Sequence, residues 1–236
     1  MTSIETIINR QLLKWELERQ EAEQATQVRP RPTPIVTISR QTGSRGSYFG
    51  SRLALRLGYQ RLHREAIDLV CKSSGYRKRV IESLDDRLRG KLELLAEAIV
   101  TGQAVDAGDY VRHLCQVVLS MSQLGGVVLM GRGGSFILGP GRGFHMRVVC
   151  PREKRIENLV KYKQLSPQEA AAAVDASDTS RRRFVTQLFG REIDDPQHYD
   201  LTLNSSLMDV EEMVDTSMVA IKAKMSKLTW LDHDPA

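Results

Sequence analysis

The chain has 236 residues, 41% of them hydrophobic and 27% charged, enough for one sizeable core with a small attached subdomain and unlike fibrous or disordered chains. Lys and Arg number 34 against 29 Asp and Glu, a net charge of +5 that suits an anionic partner. Aromatics at 6% and arginines scattered among acidic residues argue against a nucleic-acid surface, and Cys71, Cys115 and Cys150 lack the spacing of a disulfide framework or zinc site.

In chain order, Thr2-x-x-Glu5 fits a capping box, and Ile4, Ile8, Leu12 and Trp15 recur at helical spacing. They predict an amphipathic helix over residues 3–24, docked on its own domain or, as the alternative, serving as a homodimer contact. Glu5, Glu16 and Glu18 interrupt the apolar residues of this segment, which therefore reads as neither a signal peptide nor a membrane span, and a cytoplasmic protein is expected. "VRPRPTP", Val28 to Pro34, reads as a linker, because its prolines lack N–H groups and fix φ. The expected division is residues 1–33 as helix and linker, 34–225 as the main domain and 226–236 as a tail.

"PIVTIS" is a β-rich run, followed by a glycine turn and a helix that carries Phe49, Leu53 and Leu57 on one face. "YQRLH" is a weaker strand, and "GGVVLMGRGG", "FHMRVVC" and "YDLTLNSS" are further apolar runs, each followed by a helical pattern. Short apolar strands alternating with helices imply a parallel sheet covered on both faces. Residues 66–123 read as a helical insertion, with breaks expected at Gly75, Gly90, Gly102 and Gly108.

Two segments carry chemistry. In the first, "RQTGSRGS", the turn at Gly43 lies where a strand hands over to a helix N-terminus, a place suited to anions. A Walker loop would put Gly at Arg40 and Arg45, Lys at Gly46 and a hydroxyl at Ser47. Three of those four signature positions differ, so pattern alone leaves a phosphate loop and a structural turn both open. In the second, Pro167 starts a helix that brings Asp178, Arg181, Arg182 and Arg183 close together. Asp178 reaches Arg181 at i, i+3 and Arg182 at i, i+4. This is either a solvated ion-pair face or a cluster of guanidinium groups for phosphate oxygens.

With these residues in view, the chain resembles the cytidylate kinase-like proteins, a branch of the P-loop nucleoside-monophosphate kinases, over most of residues 34–222. The resemblance lies in "ISRQTGSRG", "LGYQRLHREAI", "GRGGSFIL", "RVVCPREKRIENL", "DTSRRRF" and "LFGREIDDPQHYDLTLNSS". It implies a three-layer α/β/α P-loop NTPase fold with a five-stranded parallel sheet in the order 2-3-1-4-5. The helical insertion would bind the monophosphate, and residues 152–183 would form a mobile lid and an arginine helix. The family's loop is itself a lysine-free G-S-G-G, so the missing lysine is a family trait.

The implied activity is transfer of the ATP γ-phosphate to a nucleoside monophosphate or similar small acceptor, with Mg²⁺. The alternative is an inactive nucleotide-binding module that acts by interaction. By resemblance, Gly43, Ser44, Arg45 and Gly46 wrap the ATP phosphates beside Arg40, and Ser47 reaches Mg²⁺. Arg132 and Asp178 face the acceptor; Asp178, Arg181 and Arg183 fit the D-x-x-R-x-R pattern that neutralises the transferring group. Two positions depart from the family: Arg45 replaces a small glycine, and His63 stands where Asp is usual.

Overall fold

A computed structural model of the chain describes residues 3–24, 33–84, 86–101, 109–225 and 227. Strands β1 (Val36–Arg40), β2 (Gln60–Leu62), β3 (Val127–Met130), β4 (Phe144–Val149) and β5 (Leu201–Asn204) make one parallel sheet. Its order is β2-β3-β1-β4-β5, as the resemblance implied.

Two helices cover one face: α2 (Gly46–Leu57) and α10 (Val210–Met225). There Phe49, Leu53, Met213 and Val214 pack on Val36, Ile38, Val128, Met130 and Met146. The opposite face carries α1 (Ile4–Gln24), α3 (Arg64–Lys72), α4 (Ser74–Glu82), α5 (Asp86–Thr101), α6 (Asp109–Leu124) and the short α7 (Gly134–Leu138). Here Leu12, Trp15, Ile67, Leu114 and Leu119 meet Val127 and Leu129. Strand β3 is buried at every position and feeds both clusters alternately, which is why it reads as an unbroken apolar run. Each such side chain contributes about 2 kcal/mol. The remaining two helices, α8 (Arg152–Lys163) and α9 (Pro167–Phe189), pack on each other through Leu159, Ala170 and Val174.

Helix α1 docks on its own domain. Ile8, Leu12 and Trp15 are buried, Trp15 Nε1 donates to the Gly125 carbonyl at 3.1 Å, and Arg79 Nη2 donates to Glu16 at 3.0 Å. Thr2 of the expected capping box, Val28 to Pro32 of the linker, and Gly102 and Gly108 lie outside the described residues, as does the tail apart from residue 227.

The insertion is helical but is not broken at Gly75 or Gly90, which lie inside α4 and α5. The break between α3 and α4 falls at Ser73, whose side chain accepts from Tyr76 N–H and caps the second helix. Gly90 costs α5 about 1 kcal/mol relative to Ala, less than burial of Leu88, Leu92 and Ala96 returns.

Strand β4 is buried on both faces but with unlike residues. Phe144, Met146 and Val148 face the α2/α10 core, while His145 and Arg147, also buried, face the opposite side of the sheet. There His145 Nε2 donates to the Gly139 carbonyl at 2.8 Å, leaving Nδ1 to accept from the Thr37 hydroxyl at 2.9 Å.

Candidate functional site

Two cavities open at the carboxyl ends of β1 and β3. One, of about 540 Å³, lies between the Gly43 loop and α8; Arg45, Ser47, Tyr48, Asn158 and Tyr162 line it. The other, of about 290 Å³, lies between β1, the Gly131–Ser135 turn and α9; Ser39, Glu65, Arg132, Phe136 and Phe184 line it. Arg40 and Arg181 border both.

The loop is tightly fixed. Gly43 takes φ 81°, and a Cβ there would sit 2.4 Å from the Arg155 carbonyl oxygen, so only glycine lets α8 approach. Asn158 Nδ2 donates to the Gly43 carbonyl at 2.8 Å, and the Thr42 and Ser177 hydroxyls are 2.7 Å apart. Ser44 is fully buried and donates to the Gln41 carbonyl at 2.8 Å. Arg45 precedes α2 in the left-handed region, φ 56°, a strain of about 1 kcal/mol. Left-handed residues alternating with ordinary ones gather backbone N–H groups into an anion-sized concavity at a helix N-terminus. The Arg45 guanidinium lies 5.7 Å from the Tyr48 ring and 5.6 Å from the Tyr162 ring, within cation–π range.

Arg40 and Arg181 form the electrostatic centre. Arg181 Nη1 donates to the backbone carbonyl of Arg40. Arg40 Nε is buried without a partner, and its Nη1 would lie 2.6 Å from a Cβ at Gly131. Burial, and next the charge of Arg181, push the Arg40 guanidinium down to about 10, with Glu65 opposing. Burial likewise lowers Arg181, while Asp178 opposes and other arginines add to the fall. Two cations partly withdrawn from water and repelling each other are stabilised by an arriving anion.

The remaining predicted residues are placed unequally. Asp178 takes both prongs of Arg155, at 2.9 and 2.8 Å, and this pair is nearly buried. Arg132, at φ 55°, donates to Asp68, which also accepts from Tyr110 Oη at 2.8 Å. Its guanidinium lies 5.8 Å from the Tyr110 ring and 5.5 Å from that of Phe184. Ser47 is exposed at the rim of the larger cavity. Arg183 is exposed on α9 and lines neither cavity. His63 precedes α3, with Nδ1 3.2 Å from a Glu65 carboxylate oxygen. Sequence reading passed over Asp68, Tyr110, Arg147, Arg155 and Asn158. The last two stand three apart in the quoted "PREKRIENL", a spacing that puts them on one helix face.

A parallel α/β/α sheet in this order, with a glycine turn leading from its central strand into a helix, defines the P-loop kinase-like class of fold. Within that class the chain belongs to the cytidylate kinase-like family, whose model matches residues 35–207. The chain is 23% identical over 182 residues to a cytidylate kinase of Ignicoccus hospitalis, covering 77% of this chain and 95% of that one. It is 32% identical over 91 residues to a uronate isomerase of Corynebacterium glutamicum, a match that takes in 38% of this chain and spans only 18% of that relative's length. Among solved structures, an uncharacterized protein from Eubacterium ventriosum shares the fold with a TM-score of 0.63 at 16% identity, covering 81% of this chain and 99% of that one.

Proposed function

We propose that this protein transfers the γ-phosphoryl group of ATP to a nucleoside monophosphate or a similar small phosphate acceptor. The observation that carries the reading is the half-buried Arg40–Arg181 pair, bordering both cavities and lacking a full complement of negative charge. Phosphoryl transfer asks a protein mainly for positioning and for cancellation of negative charge. In this reading the Gly43–Ser47 backbone holds the donor phosphates in the larger cavity. Arg40 and Arg181 straddle the transferring group, and the acceptor enters the smaller cavity past Arg132. Arginine does this without the Walker lysine, since it stays charged and offers paired donors.

Mg²⁺ would arrive with ATP. Among the described residues no group of three or more His, Cys, Asp or Glu side chains could hold a metal ion. The exposed Ser47 hydroxyl fits an ion held chiefly by phosphate oxygens and water, whose chemistry is to offset phosphate charge. Among the same residues no helix is long and apolar enough to cross a membrane.

A second reading has its own support. Arg132 is already engaged by Asp68, and Asp178 by Arg155, so two acceptor-side groups are held by the fold itself. That arrangement suits a nucleotide-binding module without turnover. The test is titration of ATP·Mg²⁺ into the purified protein, followed by assay of ADP release on adding CMP, UMP, dCMP and AMP in turn. Binding with acceptor-dependent release is expected. Binding without release would favour the second reading, and no binding would reduce the Gly43 loop to a structural turn.

A further inference from the structure

Arg147 is a buried charge to which the phosphoryl-transfer reading gives no task. It lies in register with Ser39 across β1 and β4 and is 3% exposed. Its Nη1 donates to Ser39 Oγ at 2.8 Å, its Nη2 donates to the Asp194 carboxylate, and its guanidinium lies 5.6 Å from the Tyr199 ring. Tyr199 Oη in turn donates to the Ile193 carbonyl at 2.8 Å, and Arg182 Nε reaches the other Asp194 oxygen at 3.2 Å.

These contacts join two distant parts of the chain. Ile193, Asp194 and Tyr199 belong to the connection between α9 and β5, whose regular structure is the short 3₁₀ turn Pro196–His198. Ser39 and Ile193 are both walls of the smaller cavity. Arg147 and Asp194 line a narrow space beside it, together with Arg40 and Arg181. A guanidinium is withdrawn from water only at a cost, and a well-packed apolar side chain of similar volume would generally serve stability as well or better. An arginine at this point in β4 is therefore better explained by what it holds in place.

We infer that Arg147 is a positioning residue for the acceptor: it ties the α9–β5 connection to Ser39 and so sets the floor of the acceptor cavity. The inference rests on the phosphoryl-transfer reading for the identity of that cavity. Arg147 touches neither substrate; it acts through Ser39, Asp194 and Ile193. Its loss should be felt by the acceptor and not by ATP, whose cavity on the α8 side has no wall from the α9–β5 connection.

The experiment is calorimetric titration of CMP and, separately, of ATP·Mg²⁺ into wild type, Arg147→Met and Ser39→Ala, with hydrogen exchange followed over residues 191–199. Arg147→Met should weaken CMP by about 10-fold or more, the scale on which small misplacements are felt. It should leave ATP within about 2-fold of wild type and speed exchange across 191–199. Ser39→Ala, which adds and removes no charge, should weaken CMP in the same direction and serves should Arg147→Met fail to fold. Unchanged CMP affinity, or CMP and ATP weakened equally, would overturn the inference while leaving the transfer reading standing. A wild type that binds ATP but no monophosphate would remove the acceptor reading and this inference with it.

Discussion

Arg155 and Asp178 meet in a two-pronged ion pair across the turn between α8 and α9, Nη1 to Oδ1 at 2.9 Å and Nη2 to Oδ2 at 2.8 Å. The Arg155 side chain is 5% exposed and that of Asp178 is 15% exposed, so both charges are largely shielded from water. Asp178→Asn leaves the buried guanidinium without its counter-charge, a loss of about 3 kcal/mol, or a fall in Tm of about 6–12 °C. Thermal unfolding followed by circular dichroism measures this directly. A Tm equal to that of wild type would mean that water reaches the pair.

Arg181 behaves in the opposite way. Burial acts most strongly against its charge, Asp178 favours it and nearby arginines oppose it, so Arg181→Ala relieves repulsion while losing one attraction and should leave Tm within about 1–2 °C of wild type or raise it. The same change should reduce kcat by about 1,000-fold or more, the scale set by arginines that stabilise a transferring phosphoryl group. Full turnover in a folded Arg181→Ala protein would end its catalytic assignment.

At Gly43 the constraint is steric. With φ at 81° and the Arg155 carbonyl oxygen 2.4 Å from where a Cβ would stand, Gly43→Ala must displace α8 or deform the loop. ATP·Mg²⁺ affinity should drop about 10-fold or more, and stability by about 1–3 kcal/mol. Calorimetric titration and denaturant unfolding report the two losses separately, and a Gly43→Ala protein with native values of both would show the loop to be loosely held.

The pH dependence of stability should carry the mark of His145. Burial pushes its imidazole well below the ordinary 6.5, the charge of Lys224 acts the same way, and the Gly139 carbonyl and Asp200 oppose. Because the unfolded state then binds the proton more readily, this contribution is complete above about pH 6.5. It is lost as pH falls toward the folded value. Tm measured from pH 8 down to pH 4.5 should decline, and less steeply in His145→Gln. Parallel curves for the two proteins would assign the acid sensitivity elsewhere.

How far the sequence could be read depends on where each residue's partners lie. Strand β3 and helix α1 were legible because an apolar run and a helical stripe are local patterns that burial preserves. The start of α9 was legible too, since Pro167 acts within one turn; the structure adds a capping box between Ser166 and Glu169. Arg147 was not legible, because its partners Ser39 and Asp194 are 108 and 47 residues away, and a charge in a strand ordinarily points to solvent. The same distance hid Asp68, 64 residues from Arg132. Within "DTSRRRF" three arginines look alike on paper. The helix's orientation against the loop brings Arg181 to both cavities and leaves Arg183 exposed.

Helix α1 has a practical consequence for anyone who trims this chain. The family match begins at residue 35, after α1, which makes that point an inviting place to start a shortened version. Yet Ile8, Leu12 and Trp15 fill the same hydrophobic cluster as Ile67, Leu114 and Leu119. Cutting there would uncover a greasy trough beneath α3 and yield a protein prone to clump. The stretch shared with relatives is shorter than the stretch that has to fold.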